Sequence, residues 1–359
     1  MVYVIFGFSA LLMIIVGIKL SVYGDTLAAH TKLGHGLIGG ILIAGVTSLP
    51  ELTSSISAAA IGAPDIAFGN VYGSNAFNLM ILAIVDLVQG KGSLLRIVRE
   101  SHILTAMFGI LLTGFSVLAV WMSPYGFLEL TLGWVSSHSV VLLVLYLFSA
   151  LLMVRYESKF QTKLETPDPK SSLSVKVNNK EEKYEASEKH EMESAEPEMK
   201  NNSLIRAIVG FIAAAAIIVF AGIQLALMAD VIAQETGLGQ TFVGTLLVAG
   251  ATSLPELAAS VAAIRIGAYD MAVGNVLGSN IFNILILVVT DAAYFSGSVY
   301  GVVSNQHLLT AVTTMILSSI AVIGLFYRSR RTIFMLGWDS VAIMIGYLTM
   351  MYTLFRISR

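Results

Sequence analysis

Hydrophobic residues in this chain gather into long blocks rather than short alternating or amphipathic stripes. Blocks of spanning length cover residues 2–28, 36–61, 66–88, 102–122 and 138–154, then 204–233, 241–264, 271–294, 306–327 and 335–355. Each is close to the ~20 apolar residues that carry a helix across hydrocarbon, so the pattern predicts ten membrane-spanning helices. The first block lacks a basic leading region and a small-residue cleavage site, which reads as a retained span rather than a removed signal. Residues 155–203 interrupt the pattern, and from Arg155 to Lys200 they mix eleven acids with nine bases among Ser, Asn and Pro. Such a segment has too little apolar surface to bury a core. It reads as a frayed, solvated loop, or a regulatory tether, between a first half at 1–154 and a second at 204–359.

Composition agrees. The chain is 12% charged with a mean hydropathy of +0.80, where soluble domains carry about 25% charge. A net charge of -2 offers no basic face for nucleic acid. The absence of cysteine excludes thiolate nucleophiles, zinc–thiolate sites and iron–sulfur ligation. Lys and Arg also orient the spans. Lys32, then Lys91, Arg96 and Arg99, then Arg155, Lys159 and Lys163 fall in alternate connections, and Arg265, Arg328, Arg330 and Arg331 continue the set. The opposite connections hold none, and only Arg356 and Arg359 depart from the pattern. Basic connections face the cytoplasm, which predicts a multi-pass protein of the cell membrane with both termini outside and the 155–203 loop inside.

The chain repeats itself. Gly34–Leu79 aligns with Gly239–Ile284 without a gap at an offset of 205 residues, and 26 of the 46 positions are identical. Each copy holds Thr47-Ser-Leu-Pro-Glu51 or Thr252-Ser-Leu-Pro-Glu256. Next come Gly69-Asn-Val-Tyr-Gly-Ser-Asn-Ala-Phe-Asn78 and Gly274-Asn-Val-Leu-Gly-Ser-Asn-Ile-Phe-Asn283. The offset also pairs His102 with His307, and Asp25, Asp65 and Asp86 with Asp230, Asp270 and Asp291. With five spans per half, the second copy enters the membrane inverted, an architecture that places a transporter's substrate where the copies meet.

Glu51 and Glu256 fall near mid-span, where an acid costs at least ~2.5 kcal/mol on insertion scales, so a function is needed to explain them. Pro50 and Pro255 remove a helical hydrogen bond just before them, predicting loosened backbone over Gly45–Leu49 and its repeat. Thr47 and Ser48 lie on the same helical face as Glu51. Gly73 reads as a second breaker, with Ser74, Asn75 and Asn78 carrying oxygens beside it. Two carboxylates, four Asn amides, hydroxyls and freed carbonyls make an all-oxygen site for a hard cation, Ca²⁺ or Na⁺. The hydroxyls and amides have an alternative role, capping loosened backbone and joining helices. Asp65 and Asp270 read as caps of their own helices; Asp25, Asp86, Asp230 and Asp291 read as structural groups near span ends. Lys19 reads as snorkelling or pairing with Asp25.

These motif pairs resemble the two alpha-repeats of the cation/calcium antiporter superfamily, most nearly its sodium/calcium exchanger branch, over the whole chain except the insert. The resemblance implies an all-α integral membrane fold of ten helices in two inverted five-helix repeats. It implies Glu51 and Glu256 as central ion ligands, with Thr47, Ser48, Ser74 and Asn78 from one repeat and Thr252, Ser253, Ser279 and Asn283 from the other. It further implies that the first span of each half slides to switch access, and Asn at 283 argues against potassium dependence. The expected activity is Na⁺/Ca²⁺ antiport, with Ca²⁺ and Na⁺ as substrates and no cofactor; the alternative is H⁺/Ca²⁺ antiport on the same glutamates. A cation channel is less consistent with inverted repeats. An intramembrane aspartyl protease is opposed by the placement of Asp65 and Asp270 at span starts, and a phosphate-binding P-loop is absent from the sequence.

Overall fold

Pro, Gly and the apolar blocks decide where the helices begin and end. The computed structural model describes residues 1–30, 45–90, 92–126, 130–165, 197–328, 332–333 and 336–358. Helix α1 spans Val2–His30. α2, Leu49–Ala60, has proline in its first turn, and α3, Pro64–Gln89, starts on another proline. The turn joining them contains Gly62 at φ 82°, a left-handed value that is costless only for glycine; its repeat partner Gly267 has the same φ. α4 covers Ser101–Met122 and α5 Ser137–Glu165. In the second half α6 covers Pro197–Thr236, followed by the bent pair α7, Gln240–Thr252, and α8, Leu254–Arg265. α9 is Tyr269–Ala293, α10 Gln306–Tyr327 and α11 Trp338–Ile357. Two short antiparallel strand pairs, β1 (Thr131–Leu132) with β2 (Val135–Ser136) and β3 (Thr332–Ile333) with β4 (Leu336–Gly337), lead into α5 and α11.

Among the described residues, eight helices are long and apolar enough to cross a membrane, and the pair α7–α8 makes nine. The start of the expected 36–61 block and the core of the 155–203 loop, residues 166–196, lie outside the described residues. Both ends of that loop are helical, because α5 runs on to Glu165 and α6 begins at Pro197.

Packing places α3 and α9 at the centre. They are the most buried of the spans. On one side of them α1 lies along α6 over α2, α7 and α8, through Met13, Val16, Leu20, Ile218, Ala221 and Leu225. On the other side α4 packs against α10. Two cores close the ends: Ile81, Leu82 and Val85 meet Val273, Val276 and Leu317, while Phe68, Val71 and Tyr72 meet Ile281, Ile284 and Leu112. Exposed apolar side chains such as Phe8, Leu11, Val209, Phe220, Leu111 and Ile316 face outward, as lipid contact requires.

Candidate functional site

The two Ser-Leu-Pro-Glu segments break their helices as the prolines require, but more sharply than expected. Residues 45–47 are helical, Ser48 alone forms the turn, and α2 resumes at Leu49. In the second half the break falls at Ser253, and α7 and α8 meet at 42°. Each glutamate thus sits in the first turn of a restarted helix, where the positive end of the helix dipole favours a carboxylate.

The halves supply each other's partners. Ser253 Oγ donates to Glu51 Oε1 at 2.9 Å, and Ser48 Oγ to Glu256 Oε1 at 3.4 Å. Thr252 donates to Asn70 Oδ1 at 3.1 Å, and Thr47 to Asn275 Oδ1 at 3.4 Å. Thr252 also meets Ser74, and Thr47 meets Ser279, each at 3.5 Å. Thr47, Ser48, Ser74, Asn78, Thr252, Ser253, Ser279, Asn283 and both glutamates are all buried. Among the described residues, Glu51 Oε2, Glu256 Oε2, Asn78 Oδ1 and both amide atoms of Asn283 have no hydrogen-bond partner. Leaving buried polar atoms unpaired is costly, and four of these five are acceptor oxygens that a cation would satisfy. No group of three or more His, Cys, Asp or Glu forms among the described residues. A cation held here must therefore complete its shell with neutral oxygens, which suits a hard ion.

Asn70 and Asn275 were not singled out from sequence, yet they bind the threonines of the opposite half. The available signal was the Gly-Asn pair opening both copies of the second motif, with Asn70 one turn before Ser74 on the same face. Gly73 is not a helix breaker: α3 runs through it unbroken. A side chain there would meet Thr245 O at 2.5 Å and Ala249 Cβ at 2.7 Å, so Gly73 exists to let α7 approach.

The paired aspartates lie outside this centre. Asp65 and Asp270 do not cap their own helices. Asp65 accepts from Ser304 N at 2.7 Å and pairs with buried His307 Nε2 at 2.8 Å; Asp270 accepts from Arg99 N at 2.7 Å and pairs with His102 Nε2 at 3.1 Å. Each reaches the start of the other half's helix, a partner that single-helix reasoning could not reveal. Asp86 accepts from Leu94 N, Gly337 N and Ser340 Oγ, and Asp291 from Val299 N, Ser136 N and Ser139 Oγ. Asp230 binds Gln234 and Gln240. The Asp25 side chain lies outside what the structure describes, and Lys19 is exposed on α1.

Broken helices from two sequence-related halves, meeting around buried oxygens inside an apolar bundle, are the architecture of membrane secondary transporters. Residues 1–155 and 206–356 match the family model for the sodium/calcium exchanger protein, and the chain belongs to that family. It is 26% identical over 338 residues to sodium/calcium exchanger MaX1 of Methanosarcina acetivorans, covering 93% of this chain and 92% of that one. It is 28% identical over 279 residues to the putative antiporter CaxA of Alkalimonas amylolytica, covering 74% and 72%. Among solved structures it resembles the sodium-calcium exchanger NCX_Mj with a TM-score of 0.59 at 23% identity, covering 98% of this chain and 99% of that one. It resembles the H⁺/Ca²⁺ exchanger CAX with a TM-score of 0.67 at 15% identity, covering 99% and 85%. At these identities the structural likeness concerns the fold.

Proposed function

We propose that this protein exchanges Na⁺ for Ca²⁺ across the cell membrane by alternating access to the site between α2, α3, α7, α8 and α9. Ten helices cross the membrane in this reading, as two inverted repeats of five at 1–154 and 204–359. Both termini then lie outside and the 155–203 loop is cytoplasmic. The observation that carries the proposal is the pair of buried glutamates, each bonded to a serine of the other half and each with one oxygen left unpartnered among the described residues. Two carboxylates balance one Ca²⁺, and Thr47, Ser48, Ser74, Asn78, Thr252, Ser253, Ser279 and Asn283 supply the remaining oxygens. The same oxygens hold Na⁺ when Ca²⁺ leaves, and competition for one ligand set couples the two fluxes. The names of the MaX1 and NCX_Mj relatives support these ions.

A second reading rests on the unpartnered Oε2 atoms, which could each carry a proton instead. Ca²⁺ uptake into vesicles loaded with Na⁺, against vesicles given only a pH gradient, separates the two. Uptake driven by Na⁺ is expected. Uptake that ignores Na⁺ and follows the pH gradient would transfer the coupling to protons. Glu51→Gln or Glu256→Gln is expected to lower uptake by about 100-fold or more, as removal of charge from a buried ion site should. Wild-type flux in either variant would sink the site assignment.

A further inference from the structure

The two central helices cross at Asn75 of α3 and Asn280 of α9, and their contact is reciprocal. Asn75 Nδ2 donates to the carbonyl of Asn280 at 3.2 Å, and Asn280 Nδ2 donates to the carbonyl of Asn75 at 3.3 Å. The next bond outward is not reciprocal. Asn78 Nδ2 donates to Asn280 Oδ1 at 3.0 Å. The equivalent bond, from Asn283 Nδ2 to Asn75 Oδ1, is not made, and both of those buried atoms have no partner among the described residues.

The same bias runs through the centre. Asn70 Nδ2 reaches Ser55 Oγ at 2.9 Å and Glu51 O at 3.1 Å, whereas Asn275 Nδ2 and Ser260 Oγ have no partner among the described residues. The Ser253–Glu51 and Thr252–Asn70 bonds are shorter than Ser48–Glu256 and Thr47–Asn275. Yet every one of these positions carries the same residue in both copies. Identical residues in reciprocal positions have two equivalent ways to be asymmetric, and the structure holds one of them.

We propose that Asn75 and Asn280 are positioning residues that form a toggle. In the state seen here Asn280 tethers Asn78 and leaves Asn283 loose. In the counterpart state Asn75 tethers Asn283 and releases Asn78. The toggle deepens the transport reading above and rests on it for its purpose: exchanging the roles of two inverted repeats exchanges the side from which the site is reached. Discrete alternatives of this kind, rather than gradual deformation, are how packed interiors switch.

The chain has no cysteine, so a single introduced thiol reports access without a background. Val46→Cys and Ala251→Cys, at repeat-equivalent positions beside the two breaks, are each labelled by a membrane-impermeant thiol reagent. Labelling is done from either face of oriented vesicles, in choline buffer without Na⁺ or Ca²⁺. Asn280→Ala is expected to shift the ratio of labelling from the two faces by about fivefold, the weight of one net hydrogen bond, and Asn75→Ala to shift it by a similar factor the opposite way. The double variant should return near the wild-type ratio, which merely structural damage would not do. Asn78→Ala and Asn283→Ala carry the same test if the axis variants do not fold, with Asn78→Ala following Asn280→Ala. Shifts in the same direction, or none, would overturn the toggle. Na⁺-driven Ca²⁺ uptake by the unsubstituted protein is measured alongside. Its absence would remove the transport reading while opposed labelling shifts would keep the toggle, and the converse result would do the reverse.

Discussion

The centre and the ends of this bundle use the same duplicated residues in opposite ways. At the ends, Asp86 and Asp291 each receive two backbone N–H groups and one serine hydroxyl, between 2.6 and 2.9 Å, and the two arrangements match bond for bond. At the centre, Glu51 and Glu256 hold their serines at 2.9 and 3.4 Å, and oxygens and amides are left unpaired. Saturated carboxylates fix helices together; under-saturated ones keep ligand capacity in reserve. The difference teaches where rigidity and where change are stored: both ends have every carboxylate bond made, and the unmade bonds lie in the middle.

The largest effects are expected where the fastening is complete. Asp291→Ala strands two buried N–H groups and a hydroxyl and should destabilise the protein by about 3 kcal/mol, read as thermal unfolding in detergent. Asp86→Ala should cost about 1 kcal/mol less, because buried Asp339, bonded to Ser93 and Ser340 beside it, no longer faces a second acid. His138 holds the corresponding place near Asp291. Equal losses would remove the distinction between the two ends.

A smaller effect is expected where α1 and α6 cross the broken spans. Gly17 lies on Pro255, so close that a methyl group added to it would come within 2.6 Å of the proline ring, and its repeat partner Gly222 lies on Thr53. Gly17→Ala and Gly222→Ala should each slow exchange by about tenfold while leaving half-saturation by Ca²⁺ unchanged, since the added methyl overpacks a crossing rather than the site. A change in half-saturation with an unchanged maximal rate would place these glycines in binding instead. The smallest effect distinguishes the two serines. Ser253→Ala, which removes the shorter charge-assisted bond, should weaken Ca²⁺ half-saturation by about tenfold and Ser48→Ala by about threefold. Equal shifts would mean that the asymmetry at the centre does not persist when an ion is bound.

Much of this was legible in the sequence because hydrocarbon imposes strict rules. Length and apolarity predicted the spans, the prolines predicted loosened backbone just before each glutamate, though over more residues than the single turns at Ser48 and Ser253, and the cost of charge at mid-span picked out Glu51 and Glu256. What stayed hidden were relations between halves. Asp65 looked like a cap because its nearest helix begins beside it, while its partners Ser304 and His307 are more than 200 residues away. Gly73 looked like a breaker because glycine serves both to bend a helix and to admit a neighbour, and only the position of α7 decides between them. Asn70 was passed over because its partners lie on other helices, Ser55 and the Glu51 carbonyl on α2 and Thr252 in the other copy.

The crossed partnerships of Asp65, Asp86, Asp270 and Asp291 also bear on assembly. A lone half, made as a separate polypeptide, would carry acids whose complementary donors are encoded in its sibling. Its stable form would be a pair of halves, each satisfying the other's acids. Carrying both halves in one chain makes that pairing obligatory, and it leaves each copy room to differ, as Gly36 and Gly40 do from Thr241 and Thr245.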